Sequence, residues 1–289
     1  MTNDRKKIGR LPEEASQNGL RPILEKIKNG ELSLDQAENL IRADSLINVG
    51  DLVSFDSFRE SRSGIPEVVF SESKPIKIIL EIIENVVPKK RVVLFTRLTS
   101  DQLAELKSNQ KIQDEFQVRI DLIGRLAVVS ALDYELPSPL LGPVGILTAG
   151  TSDIVIAKEA MAILELMGVR VLEAHDLGIA GLHRLISPLD RILSQDPVCI
   201  IVLAGMEGAL PSVVAGLVDV PVIGVPISTG YGFGGKGVGA LTSMLQSCAP
   251  GLAVVNIDGG FPAGAIAGLF AKVVKRKISG SSIHQAEGL

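Results

Sequence analysis

The sequence has no tryptophan, two tyrosines, two cysteines and three histidines among 289 residues. Two cysteines, Cys199 and Cys248, exclude a disulfide framework and a zinc site built from several thiolates. No apolar run reaches the ~18 uninterrupted residues that a membrane span needs. The N-terminus, MTNDRKKIGRLPEE, lacks the apolar core of a signal peptide, so a cytoplasmic location is expected. Excess basic charge is missing too: 29 Lys and Arg against 33 Asp and Glu leave −4. That balance argues against nucleic acid or an anionic membrane as a general partner. What is present is core-forming material. Hydrophobic residues make up 46% and charged residues 21%, which excludes disorder throughout.

Charge and glycine are unevenly spread. Residues 1–140 hold 42 of the 62 charged residues but only 6 of the 29 glycines. The split suggests two units, joined at Leu136-Pro-Ser-Pro-Leu-Leu-Gly-Pro143, where prolines disfavour a continuing regular element. The expected organisation is a polar arm over 1–19, a smaller α/β domain over 20–140, a catalytic α/β domain over 141–278 and a flexible tail over 279–289. In the first unit, Leu20 to Lys28 reads as a helix stopped by Asn29-Gly30. Ser33 and Gln36 have capping-box spacing. Residues 56–67 read as a charged loop, 91–96 and 126–131 as strands, and Thr99-Ser-Asp101 as a helix cap.

In the second unit short apolar runs alternate with helical stretches. The expected strands are 144–148, 169–172, 198–203, 220–225 and 252–257. The expected helices are 153–167, 181–194, 208–218, 237–247 and 261–276. The strands are apolar throughout, as a parallel sheet covered on both faces requires. Strand–helix alternation of this kind predicts a doubly wound, flavodoxin-like α/β fold. In such sheets ligands sit at the carboxyl ends of the strands.

The loops between these elements carry the candidate residues. Gly150, Thr151, Ser152 and Asp153 follow the first strand, where backbone amides at a helix start suit an anion or merely cap the helix. His175, Asp176 and Gly178 follow the second, with His183 close behind; an imidazole or carboxylate there suits proton transfer, a ribose or a metal ion, or is simply solvated. Ala204, Gly205, Met206 and Glu207 follow the third. Glu207 is the only charged residue between Asp196 and Asp219, and it suits a proton acceptor or plain helix-dipole stabilisation.

The fourth loop, Gly224 to Gly239, has seven glycines in sixteen residues and holds Ser228, Gly230, Tyr231 and Gly232. A backbone so poor in Cβ atoms can approach a flat ring closely, and Tyr231 suits stacking on it. Leu245 to Gly251, which follows a helix and precedes a strand, holds Cys248. Cys199 lies inside an apolar strand, so Cys248 is the candidate nucleophile of the two, although a helix C-terminus disfavours a thiolate. Asn256 and Asp258 lie where the last strand ends.

Several of these runs resemble the phosphoribosylaminoimidazole carboxylase superfamily: Gly150-Thr-Ser-Asp153, Ala204-Gly-Met-Glu-Gly-Ala-Leu-Pro-Ser212 and Gly224-Val-Pro226. Others are similar to the pyridinium-3,5-biscarboxylic acid mononucleotide synthase family of nickel-pincer nucleotide biosynthesis. These are Asp176-Leu-Gly-Ile-Ala-Gly-Leu-His-Arg184, Gly230-Tyr-Gly232, Ser247-Cys-Ala-Pro-Gly251 and Val254-Val-Asn-Ile-Asp258. Asp56, Arg59, Arg62, Gly64, Pro66 and Glu67 resemble that family's N-terminal signature. The resemblance implies an aminoimidazole ribonucleotide carboxylase-like fold. It also implies carboxylation of nicotinic acid adenine dinucleotide by CO2 with release of AMP, Cys248 as nucleophile and Glu207 as proton acceptor.

By the same resemblance Ser152 and Asp153 hold phosphate or ribose, Mg2+ is a cofactor with unknown ligands, and the chain forms a homo-oligomer, possibly an octamer. One departure stands out. The purine enzymes have Ala-His-Arg-Thr-Pro after the second strand, whereas Ala174-His175 here continues Asp176-Leu-Gly178. Two alternatives stay open: a purine carboxylase or mutase using His175, and a non-catalytic nucleotide-binding regulator.

Overall fold

The computed structural model describes residues 20–44, 46–49, 53–56, 59–139 and 141–286; the expected polar arm, residues 1–19, lies outside them. The first part runs α1 (Leu20–Lys28), α2 (Leu34–Asp44), β1 (Leu46–Val49), β2 (Val53–Asp56), α3 (Arg59–Ser63), β3 (Val68–Phe70) and α4 (Ile76–Lys90). It continues with β4 (Val92–Thr96), α5 (Ser100–Ser108), α6 (Gln110–Glu115), β5 (Phe116–Asp121) and β6 (Leu126–Ala131). Strands β3-β4-β6-β5 form one sheet, with β1 and β2 as a separate antiparallel pair.

Local signals explain much of this. Ser33 and Gln36 exchange capping bonds of 3.1 and 2.9 Å, and Thr99 with Gln102 forms a second capping box at the start of α5. Helix α4 was not expected, yet it buries Ile79, Ile82, Ile83, Val86 and Val87, a helical stripe against the sheet. The expected charged loop at 56–67 contains the short helix α3. It is clamped by Arg62–Asp56 at 2.5 Å and Arg59–Glu67 at 3.0 Å.

The second part alternates strand and helix: β7 (Leu141–Thr148), α7 (Ile154–Leu166), β8 (Val169–Ala174), α8 (His183–Leu193), β9 (Cys199–Ala204), α9 (Leu210–Ala215), β10 (Val222–Pro226), α10 (Val238–Leu245), β11 (Leu252–Val254) and α11 (Gly260–Ala286). The sheet is wholly parallel, in the order β11-β10-β9-β7-β8. Numbered within this unit that is 2-1-3-4-5, the flavodoxin-like order. The expected doubly wound, flavodoxin-like class is what the chain adopts.

Some boundaries differ for local reasons. Strand β7 begins three residues early, because the register shift between Leu141 and Val144 accommodates Pro143 at an irregularity. Helix α9 is shorter than expected at both ends: Gly208 at φ 63° precedes its start, and Gly216 caps its end after Ala215. Residues 279–286, expected as tail, continue α11 despite Gly280 and its neighbouring serines; the stretch has no proline to stop the helix.

The two sheets share one layer. Leu94, Leu126 and Val128 of the first sheet join a core with Ala157, Ala160, Met161 and Leu164 of α7. Helix α7 is therefore covered by a sheet on each side, which explains why it is apolar almost all round. Lys272 of α11 also donates to the Gly64 carbonyl at 2.6 Å, tying the α3 segment to the second unit.

Candidate active site

Register decides which loops meet. Thr148 pairs with Leu203, Pro226 with Ala204, and Leu147 with Ala174. Four strands thus end at one level, and the loops after β7, β8, β9 and β10 leave from a common edge. They enclose a cavity of about 490 Å3. Its walls include Gly150, Ser152 and Asp153 from the first loop, Gly178 from the second, Ala204, Gly205, Met206 and Glu207 from the third, and Gly230 and Tyr231 from the fourth. Ala149, Ile179, Ala180, Ala209, Leu210 and Thr229 complete it and were not singled out as site residues from sequence. Most of the lining is apolar or glycine, so a flat ring can be covered while few groups compete for polar contacts.

The walls are tightly built. A Cβ on Gly205 would meet the Thr229 carbonyl oxygen at 2.4 Å, so the third and fourth loops touch backbone to backbone. Asp176, Met206 and Asp258 follow strand ends with φ between 53° and 59°. Non-glycine residues in the left-handed region each cost on the order of 1–3 kcal/mol, and such strain concentrates at functional sites.

Asp153 is buried. Its Oδ2 accepts from the Gly150 amide at 2.8 Å, which fixes the first loop, and desolvation holds its carboxyl above the usual aspartate range. Glu207 is exposed at the cavity wall, in the turn before α9. Tyr231 is 82% exposed at the rim.

Other expected residues lie outside this cavity. His175 is held between Thr148 Oγ1 at 3.2 Å and Glu173 Oε2 at 3.0 Å. Asp176 accepts from Arg184 at 2.5 Å, and His183 is exposed at the start of α8. Thr151, Gly232 and Asn256 flank the loops without lining the cavity; Asn256 bonds the Ile257 amide at 2.8 Å. Ser228 donates its amide to Asp258 Oδ1 at 2.8 Å, which ties the fourth loop to the last. Arg59 and Arg62 are spent on the α3 ion pairs.

Cys248 stands elsewhere. Val222 pairs with both Leu252 and Ile200, so β11 starts level with the amino ends of its neighbours. Cys248, just before β11, is exposed at that amino edge. Glu207 follows β9 at the carboxyl edge. Six residues of β9 lie between these levels, roughly 17 Å at ~3.3 Å per residue. One chain does not bring this sulfur to this carboxylate. Cys199 is sealed in β9, and burial pushes its thiol up to about 12.

A polar network next to the cavity escaped sequence reasoning. Arg97, at φ 54°, donates through Nε to Glu159 at 3.0 Å and through Nη2 to the Asp258 carbonyl at 2.6 Å. Its guanidinium also lies 4.9 Å from the Phe70 ring centroid. Glu159 is 3% exposed on the apolar α7, and desolvation raises its carboxyl despite Arg97. Helix α7 carries Lys158, Glu159 and Glu165, and nothing in the residue order marks Glu159 as the buried one; that follows from the packing, and a buried charge then needs a partner. Among the described residues, no three metal-ligating side chains cluster, and no helix is long and apolar enough to cross a membrane.

Similarities to known proteins match this arrangement. The AIR carboxylase family matches residues 143–285, and the LarB/PurE-like N-terminal domain matches residues 48–126. The chain is 43% identical over 257 residues to the uncharacterized protein MJ0165 of Methanocaldococcus jannaschii, across 89% of this chain and 98% of that one. It is 34% identical over 125 residues to the N5-carboxyaminoimidazole ribonucleotide mutase of the same organism, across 42% of this chain and 74% of that one. A probable mutase of the same kind from Methanobrevibacter smithii is 31% identical over 142 residues, covering 46% and 40%. A crystal structure of a Treponema denticola PurE2 variant aligns with TM-score 0.34 and 21% identity, over 50% of this chain and 94% of that one.

Proposed function

We propose, from the premise that this chain belongs to the AIR carboxylase-like superfamily, that it carboxylates the pyridinium ring of nicotinic acid adenine dinucleotide. One observation carries the reading. Four strand-end loops close on a largely apolar, glycine-walled cavity that holds one carboxylate free to accept a proton, Glu207, with Tyr231 at its rim. A cationic aromatic ring fits that setting: the walls cover its faces and Tyr231 supplies a π surface.

In this reading a cysteine thiolate adds to a ring carbon of the pyridinium, and the ring becomes a neutral enamine. The enamine carbon bonds to CO2. Glu207 takes the proton from that carbon, the ring electrons expel the thiolate, and aromaticity returns. The sum is replacement of one ring hydrogen by a carboxylate, with no change of oxidation state in the protein. Water then adds across the diphosphate, giving AMP and pyridinium-3,5-biscarboxylic acid mononucleotide. A positioned proton acceptor contributes roughly 10²–10⁴-fold.

The cysteine in this scheme is Cys248, and its place at the amino edge means that it serves the cavity of another copy. A homo-oligomer is thus part of the proposal. Apolar side chains around the rim suit a covering subunit: Met206, Ile186 and Leu182 are 46%, 51% and 44% exposed. Among the described residues Asp176 is paired with Arg184 and no three His, Cys, Asp or Glu side chains cluster, so no resident ligands are assigned to Mg2+. Mg2+ enters the proposal as a counter-ion carried by the diphosphate, and no step is routed through it.

The test incubates pure protein with the dinucleotide, bicarbonate and Mg2+, with mass spectrometry of the products. AMP and a dicarboxylated mononucleotide are expected. Intact dinucleotide after prolonged incubation refutes the reading. Binding without turnover would favour the regulator alternative.

Similarity to two mutases supports a second reading, in which the substrate is an aminoimidazole ribonucleotide. It predicts turnover of that ribonucleotide, dependence on His175 and indifference to Cys248→Ser. Anchoring of His175 by Thr148 and Glu173, outside the cavity lining, favours the pyridinium reading.

A further inference from the structure

A second cleft, of about 250 Å3, shares Ser152 and Thr229 with the first cavity. It lies between the two units. Glu72, Arg97 and Arg125 come from the first sheet's loops, and Glu159, Ser228 and Asp258 come from the second unit.

Its electrostatics are specific. Two arginines face three carboxylates, so the cleft does not favour a free polyanion. Arg97 is matched by Glu159, and the Asp258 carboxylate accepts the Ser228 amide. Arg125 bonds the Leu98 carbonyl through Nε at 2.9 Å and is otherwise exposed, as is Glu72. One guanidinium plane and one carboxylate therefore stand open to a ligand. A nucleoside has the matching chemistry. Its ribose hydroxyls donate to carboxylates, and its base offers a π face to a guanidinium.

We propose that this cleft seats the adenosine end of the dinucleotide, with Arg125 and Glu72 as its specificity residues. The proposal rests on the reading of the first cavity as the pyridinium site. The diphosphate then crosses the wall shared by the two cavities, at Ser152 and Thr229, beside the N-terminus of α7. The first sheet thereby acquires a role that a mononucleotide substrate would not need: it holds the leaving group while the ring reacts.

The test is isothermal titration of the whole chain with AMP, and separately with nicotinic acid mononucleotide. The proteins are wild type, Arg125→Ala and Glu72→Ala, compared only where their thermal unfolding midpoints agree, because Arg125 also bonds the Leu98 carbonyl; Arg125→Lys, which keeps the charge without the planar guanidinium, is the second variant. AMP binding should weaken about tenfold in Arg125→Ala, the scale of one stacking contact with its hydrogen bond. It should weaken severalfold in Glu72→Ala, while the mononucleotide binds all of them alike. Adenosine should compete with AMP, and inorganic phosphate should not. The proposal is overturned by absent AMP binding in wild type, by variants that bind AMP as wild type does, by equal losses for both ligands, or by competition from phosphate alone. A wild type that behaves as expected here but makes no dicarboxylated product sinks the carboxylation reading and leaves the nucleoside cleft standing.

Discussion

Replacing Arg97 with alanine removes the cation bonded to Glu159 and leaves that carboxyl buried at 3% exposure. Breaking a buried pair from one side costs about 3–5 kcal/mol, because the remaining ion is uncompensated. Arg97 itself is 29% exposed, so the low end, about 3 kcal/mol, is the expected loss at neutral pH. Part of that loss is independent of pH: the contact with Phe70 contributes about 0.5–1 kcal/mol, and the bond to the Asp258 carbonyl a similar amount.

The rest follows the charge on Glu159. Its carboxyl is raised in the folded chain, so the folded state holds more protons than the unfolded one above about 4.5. The group's stability is therefore present at acid pH and is lost as pH rises through the folded pKa. Without Arg97 the raise is larger, and the loss extends to higher pH. Urea unfolding at pH 5 and pH 8 should show a deficit of about 1 kcal/mol growing to about 3. The double variant Arg97→Met with Glu159→Met should recover most of the loss. An equal deficit at both pH values, with no recovery in the double variant, would refute the buried-charge reasoning.

Mixing Cys248→Ala with Glu207→Gln subunits, each inactive alone, should restore part of the carboxylation activity if the site joins two copies; no recovery after subunit exchange rejects the shared site. A native thiol titration should count one reactive cysteine, Cys248, and two in denaturant, because burial keeps the Cys199 thiol near 12. Finding two reactive thiols in the native chain would contradict the packing of β9. Asp153→Asn should flatten part of the fall in stability as pH rises above about 3.8, since the raised carboxyl favours the folded state only while protonated. An unchanged slope of unfolding free energy against pH would show that Asp153 is not the desolvated group.

Much of the second unit was legible in the residue order alone. Parallel strands covered on both faces must be apolar throughout, so β7, β9 and β10 stand out against their glycine and proline punctuation. The caps at Ser33 and Thr99 were equally plain, because a hydroxyl and an amide three residues apart satisfy each other locally. The loops that meet at the cavity followed from the strand-end rule, and ten of the residues singled out line it.

What no local pattern carries is pairing over long separations. Arg97 meets Glu159 across 62 positions and the Asp258 carbonyl across 161, and only packing of the first sheet onto α7 makes those bonds. The second cleft exists for the same reason. The separation of Cys248 from Glu207 was likewise decided by the fold: a helix-to-strand loop and a strand-to-helix loop fall at opposite edges of a parallel sheet, however near they stand in the chain.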